Sequence, residues 1–91
     1  MKNSSVTYGD VERLLAQLGF ASEDTNGRYK VFRHQSPDVL IILPPGRAGD
    51  HANPANVVAV RRHVVANGLL DDDDAFDGLL RDIGSGAATG S

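Results

Sequence analysis

Residues 26–43, NGRYKVFRHQSPDVLIIL, contain the clearest β-sheet pattern of the chain. The segment begins with Asn26 and Gly27, a dipeptide whose residues tolerate the positive φ that a two-residue hairpin turn requires. Two β-rich runs follow, separated by a Ser-Pro-Asp turn, and a further run precedes the Asn-Gly dipeptide. The pattern therefore predicts three consecutive antiparallel strands, over residues 20–25, 28–34 and 39–43.

Helical patterns flank this predicted sheet on both sides. Thr7 is expected to cap a first helix of about three turns, with Asp10 completing a capping box, and Gly19 to end it. A second helix is predicted over residues 54–67, and a short third helix after the acidic run at residues 71–74. The order predicts an α+β fold: helix, three-stranded antiparallel sheet, helix and short C-terminal helix, with the longer helices on one face of the sheet.

Composition indicates one globular domain. The 91 residues are 41% hydrophobic and 23% charged, both near the globular average. We expect a disordered lead-in over residues 1–5, the domain over residues 6–83 and a flexible tail over residues 84–91. The chain has no cysteine, which excludes a thiolate nucleophile and a cysteine-based metal site. No apolar run approaches the ~18 residues of a membrane span, so we expect a soluble protein. The lack of cysteine permits a reducing, cytoplasmic location, which we expect. No cofactor is expected.

The third predicted strand is apolar on both sides. Leu40 and Ile42 face away from Val39, Ile41 and Leu43, because side chains alternate along a strand. If the two longer helices cover one face only, Leu40 and Ile42 form an exposed aliphatic patch, which is typical of an interface with another protein or a second copy. In the alternative arrangement, the third helix folds over this face.

The second predicted strand carries most of the basic charge of the hairpin. An RNA-contacting strand combines Arg or Lys, which bind phosphate, with aromatic rings on which bases stack. The candidates for RNA contact are therefore Arg28, Tyr29, Lys30 and Arg33. The same residues suit a solvated strand or a protein partner, and the net charge of −3 argues against general phosphate-backbone binding.

The histidines do not form a metal-binding motif. His34, His51 and His63 are widely spaced, without an i, i+4 pair, so no zinc site is predicted. We expect His63 to be a partly buried packing residue of the second helix and His51 to be solvent-exposed. Arg61 and Arg62 of the second helix are expected to form ion pairs with the acidic run at residues 71–74, with phosphate contact as the alternative.

Two local stretches and the order of elements resemble a known family. The chain has LGF before NGRYKVFRH, and NPANVVAVRRHVVANGL before an acidic segment and FDGLL. Over residues 6–83 this resembles the HicA-type toxins. The resemblance implies a fold similar to a double-stranded-RNA-binding domain and RNA cleavage of the mRNA-interferase kind, without a metal. It also implies a HicB-like antitoxin as the partner protein.

The chain departs from this family at the catalytic position. The family's active histidine directly follows Gly-Ser or Gly-Thr at the start of the second strand. Aligning Gly27 with that glycine sets Arg28 at the hydroxyl position and Tyr29 at the histidine position. A tyrosine hydroxyl is a poorer general base than imidazole at neutral pH. His34 is a second candidate, but its offset of five residues places it on the opposite side of the strand from Tyr29.

Two functions remain open at the level of sequence. The resemblance implies a diverged toxin-family protein that binds RNA, with the RNase activity in question because of Tyr29. The alternative is a non-catalytic protein-interaction module that uses the exposed sheet face, with an antitoxin-like partner or as a homodimer.

Overall fold

The computed structural model describes residues 6–24, 29–45, 47 and 49–85. Its elements are α1 (Tyr8–Gln17), β1 (Ala21–Asp24), β2 (Lys30–Gln35), β3 (Asp38–Leu43), α2 (Pro54–Ala66) and α3 (Asp73–Ser85). The predicted α+β class and the predicted order of elements are confirmed.

Capping interactions define both ends of α1. The Thr7 side-chain oxygen accepts a hydrogen bond from the Asp10 N–H at 3.2 Å, and the Asp10 carboxylate accepts one from the Thr7 N–H at 3.1 Å. This is the predicted capping box, which satisfies two of the free donors at the helix start. Gly19 has a φ of 99°, a conformation that favours glycine, and the helix ends just before it.

The start of α2 is tied to the start of α1. The Asn53 side chain accepts a hydrogen bond from the Ala55 N–H at 2.9 Å, so Asn53 caps α2 as predicted, with Pro54 in the first helical position. The Tyr8 hydroxyl oxygen accepts hydrogen bonds from the Asn53 N–H at 3.1 Å and from Asn56 Nδ2 at 2.9 Å. One phenol therefore joins the N-terminal ends of two helices that are far apart in sequence.

The sheet is antiparallel, with strand order β1-β2-β3. Phe32 in the central strand lies opposite Ser22 of β1 and Ile41 of β3. The predicted Asn26-Gly27 turn lies outside the described residues. Asp24 pairs with Lys30, whereas a two-residue loop at positions 26 and 27 would pair residue 24 with residue 29.

The core lies between the sheet and the three helices. From β3, Val39, Ile41 and Leu43 point into it, each at most 4% exposed. Phe76 of α3 is fully buried, so the third helix is an integral part of the core. The remaining core residues, all nearly inaccessible to solvent, are Val11, Leu14, Leu15, Phe20, Phe32, Val60, Val64, Leu80 and Ile83.

The third helix packs against α1 and α2, not over the second face of the sheet. It has 13 residues, as many as α2, and is therefore longer than expected. Gly84 and Ser85, which we expected in the tail, belong to this helix; residues 86–91 lie outside the described part. Because α3 lies with the other helices, the arrangement in which it covers Leu40 and Ile42 does not form.

Candidate functional site

The sheet has one face packed on the helices and another that no described helix or strand covers. We call the second face the open face. Its defining residues, which share one side of the sheet by strand alternation, are Glu23, Tyr29, Val31, Arg33, Leu40 and Ile42. The exposed fractions of Tyr29, Leu40 and Ile42 are 43%, 45% and 57%. These are large exposed fractions for one aromatic and two aliphatic side chains.

The centre of the open face is aliphatic. Val31 of β2 lies directly opposite Ile42 of β3, and Arg33 lies opposite Leu40. Although Val31 is on the open face, it is only 8% exposed, so the exposed aliphatic surface of this face is provided by Leu40 and Ile42. Tyr29 directly precedes the first residue of β2.

The charges of the open face are few and largely paired. Arg33 Nε lies 3.2 Å from a carboxylate oxygen of Glu23, across the β1–β2 pair. Both side chains remain about half exposed, at 46% and 50%. Asp38 shares this side of β3 by alternation, so the described part of the face carries two carboxylates and one guanidinium. The described part of this face therefore has no excess of positive charge.

The structure separates the four predicted RNA-contact residues. Tyr29 and Arg33 belong to the open face, whereas Lys30 points to the helix side and its Nζ lies 2.7 Å from Glu12 of α1. Arg28 lies outside the described residues. The described members of this set therefore do not form one basic surface, and Lys30 is occupied by an ion pair within the fold.

The two predicted catalytic candidates lie on opposite sides of the sheet. The His34 ring packs against Phe20 with a centroid distance of 5.1 Å, and its Nδ1 lies 2.9 Å from the Pro37 carbonyl oxygen. The Ser36 N–H lies 3.3 Å from the same Nδ1, so this nitrogen either donates to the Pro37 carbonyl or accepts from Ser36, according to the tautomer. His34 thus packs on the helix side, while Tyr29 faces outward from the open face. No acid–base pair can form between them.

The other predicted histidine and arginine positions have simple structural accounts. His51 is exposed, as predicted, and forms a backbone bridge with Thr7. His63 is exposed, so the prediction that it is a partly buried packing residue is wrong. The buried residues of α2 are Val60 and Val64, and His63 is not one of them. Arg61 pairs with Asp73 at 3.7 Å, as expected of the acidic run, and also with Asp77 at 3.3 Å.

The described surface also has open grooves. One lies between α1 and β1 over Phe20 and Phe32, and another lies on α2 beside Val58 and Arg62. Within the described residues, no group of three histidine or acidic side chains is placed to hold a metal ion. Ser22 and Glu12 both line the first groove, where the Glu12 carboxylate is paired with Lys30. The open face remains the most distinctive surface.

None of the helices in the described ranges is both long enough and apolar enough to span a bilayer.

Sequence reasoning identified Leu40 and Ile42 but missed the free edge of the strand that carries them. β3 is an outer strand of the sheet. The signal was present in the sequence, because DVLIIL has no lysine or proline and only one charge, at its first residue. Natural edge strands usually carry lysine, other charged residues or proline, which prevent pairing with another chain.

No family model, no curated protein and no solved structure matches this chain.

Proposed function

We propose that this chain is a non-catalytic protein-interaction module of HicA-like architecture, and that its open face binds a partner protein of the antitoxin-like class. The observation that carries the proposal is the exposure of Leu40 and Ile42, at 45% and 57%, on a face that no described element covers. Contiguous exposed aliphatic side chains of this kind typically mark a protein interface.

The energetic contribution of this face is modest but useful. Complete burial of a large aliphatic side chain stabilises by about 1.5–3 kcal/mol, and Leu40 and Ile42 are already about half buried. Docking would therefore gain on the order of 1 kcal/mol from each of them, and a similar amount from Tyr29, before the costs of association.

Electrostatics favours protein over RNA as the ligand. RNA affinity depends mainly on Lys and Arg groups that neutralise phosphates. On the described open face, Arg33 is the single cation and lies beside Glu23, while Lys30 pairs with Glu12 on the other side. An apolar centre flanked by one ion pair suits a protein surface better than a phosphate backbone.

The geometry also supports a non-catalytic role. Catalytic proton transfer needs the acid and base within hydrogen-bond reach of one substrate position. Tyr29 and His34, the two candidates, face opposite sides of the sheet. His34 is further engaged by Phe20 and, through Nδ1, by the Pro37 carbonyl or the Ser36 N–H.

The test is co-expression of the chain with the HicB-like antitoxin, tagged on the antitoxin. We expect the wild type to co-elute and the double variant Leu40→Asp/Ile42→Asp to be lost from the complex. Val58→Asp is the matched control, because Val58 is an aliphatic residue of similar exposure, 41%, on α2. Absence of wild-type co-elution, or equal co-elution of the double variant, would overturn the proposal.

An RNA titration provides the competing outcome. Fluorescence anisotropy with a labelled mixed-sequence single-stranded RNA is measured at low and moderate salt. We expect no binding that depends on the open face. Binding that weakens steeply with salt and is lost in Arg33→Glu would assign the face to RNA instead.

A further inference from the structure

We infer that β3 pairs, edge to edge, with β3 of a second copy of this chain, so that two three-stranded sheets join into one sheet of six strands across a two-fold axis. This inference goes beyond the proposed partner binding and does not depend on it, because it concerns the edge of the sheet and not its face.

The two outer strands differ in how they are protected. β1 has four residues and includes two acidic ones, Glu23 and Asp24. Short length and charge are the usual devices that stop an edge strand from pairing with another chain. β3 has six residues, and five of them are aliphatic. It has neither lysine nor proline, and its pairing with β2 runs without a bulge.

The outer backbone of β3 is also free within the described part of the chain. Each residue of β3 pairs with β2 on one side. On the other side, no described residue forms a hydrogen bond with the backbone of Asp38–Leu43. Alternate N–H and C=O groups of an antiparallel strand point outward, so β3 presents a row of unpaired donors and acceptors beside exposed Leu40 and Ile42.

The sequence of β3 is complementary to itself. In an antiparallel pair centred on Ile41, Leu40 of one copy lies opposite Ile42 of the other, and Val39 lies opposite Leu43. The strand's one charged residue, Asp38, falls opposite Pro44, outside the strand, so like charges do not meet. A two-fold arrangement of this kind is the commonest symmetry of soluble oligomers, and aliphatic cross-strand pairs stabilise it.

The pairing has a consequence for the open face. Leu40 and Ile42 of both copies come together on the same side of the joined sheet, as a strip of four aliphatic side chains across the axis. The dimer thus presents a larger apolar surface than either copy alone.

The first experiment tests the pairing with charge. Two double variants are made, Leu40→Lys/Ile42→Lys and Leu40→Glu/Ile42→Glu, at positions whose exposure spares the core. Sedimentation velocity on the purified wild type is expected to give twice the mass of the chain. Each variant alone should be monomeric, because position 40 faces position 42 of an equally charged copy, and an equimolar mixture should recover the dimer.

The second experiment tests the register and does not need either charged variant to fold. The chain has no cysteine, so single cysteines report cleanly. A mixture of Leu40→Cys and Ile42→Cys chains should form an interchain disulfide several-fold faster than Leu40→Cys alone. Glu23→Cys, on the open face of the other edge strand, is the matched control and should react slowest.

Three results would overturn the inference: a wild type that stays monomeric at every concentration, a mixture of oppositely charged variants that stays monomeric, or cross-linking through position 23 as fast as between positions 40 and 42. The two experiments use only the purified chain. Their failure therefore leaves wild-type co-elution with the antitoxin untouched. Because Leu40→Asp/Ile42→Asp would weaken both the face contact and the β3 pairing, wild-type co-elution is the readout that separates the proposed function from the pairing.

Discussion

Lys30 of β2 donates a hydrogen bond to Glu12 of α1 at 2.7 Å, which fixes the side of the sheet that this lysine faces. Tyr29, its neighbour in the chain, faces the opposite side and is 43% exposed. Strand alternation therefore places Lys30 on the helix side and Tyr29 on the open face. Lys30 keeps 37% of its side chain exposed, but its ammonium group is engaged by Glu12.

The ion pair between Lys30 and Glu12 should contribute a small, measurable stability. Both side chains are partly exposed, at 37% and 26%, and exposed ion pairs typically contribute about 0.2–1 kcal/mol. A double-mutant cycle with Lys30→Met and Glu12→Gln, followed by urea unfolding, should give a coupling free energy in that range that falls with added salt. A coupling that does not respond to salt would contradict the assignment.

Glycine is required more strictly at position 19 than at position 68. Both residues have positive φ, 99° and 77°, so alanine is strained at either. At Gly19 an added Cβ would also lie 3.2 Å from Nε2 of His34, whereas nothing lies within 4 Å at Gly68. We expect Gly68→Ala to cost about 1 kcal/mol and Gly19→Ala measurably more. Chemical denaturation of the two variants compares them directly, and the reverse order would count against the close approach of His34.

The third helix should be indispensable to folding. Phe76 is fully buried between the helices and the sheet. We expect Phe76→Ala to lower the free energy of unfolding by about 3–5 kcal/mol, as is typical of Phe→Ala changes in a core. That is a large share of the stability of a domain of this size. Val58→Ala, at an exposed position of α2, is the control and should change stability by less than about 0.5 kcal/mol. Equal effects of the two changes in thermal unfolding would contradict the packing of α3.

The capping box of α1 should be measurable by a conservative pair of substitutions. Thr7→Ala removes the side-chain acceptor for the Asp10 N–H and should lower the free energy of unfolding by about 1 kcal/mol. Thr7→Ser keeps the acceptor and should stay close to the wild type. In a domain of this length the alanine variant should lose about 4–8 °C in Tm; an unchanged Tm would show that the cap is not a stabilising contact.

Much of the fold was predictable because its signals are local. The capping box at Thr7, the Asn53-Pro54 start of α2 and the alternation of β3 each depend on residues within one turn or one strand. The prediction that Leu40 and Ile42 share a face needed only strand periodicity. An amphipathic third helix can bury its apolar side either against the other helices or over the second face of the sheet. Only the first packing leaves Leu40 and Ile42 exposed, and local sequence patterns do not distinguish the two.

The candidate site was predicted less well, for a physical reason. Val31 and Phe32 are both apolar, so the sequence of β2 does not show which of its sides meets the helices. The outcome depends on contacts between distant residues, such as the ion pair of Lys30 with Glu12. Asp77 was likewise missed as a partner of Arg61, because its place on α3 next to α2 is a tertiary property.

We propose that the open face of the sheet is the functional surface. Backbone amide chemical shifts of the isotope-labelled chain, recorded while an unlabelled HicB-like antitoxin is added, are the decisive measurement. We predict that the largest shifts fall on Val31, Arg33, Leu40 and Ile42, with little change in α2. Shifts centred on the α2 groove around Val58 and Arg62, with the open face unaffected, would contradict the account.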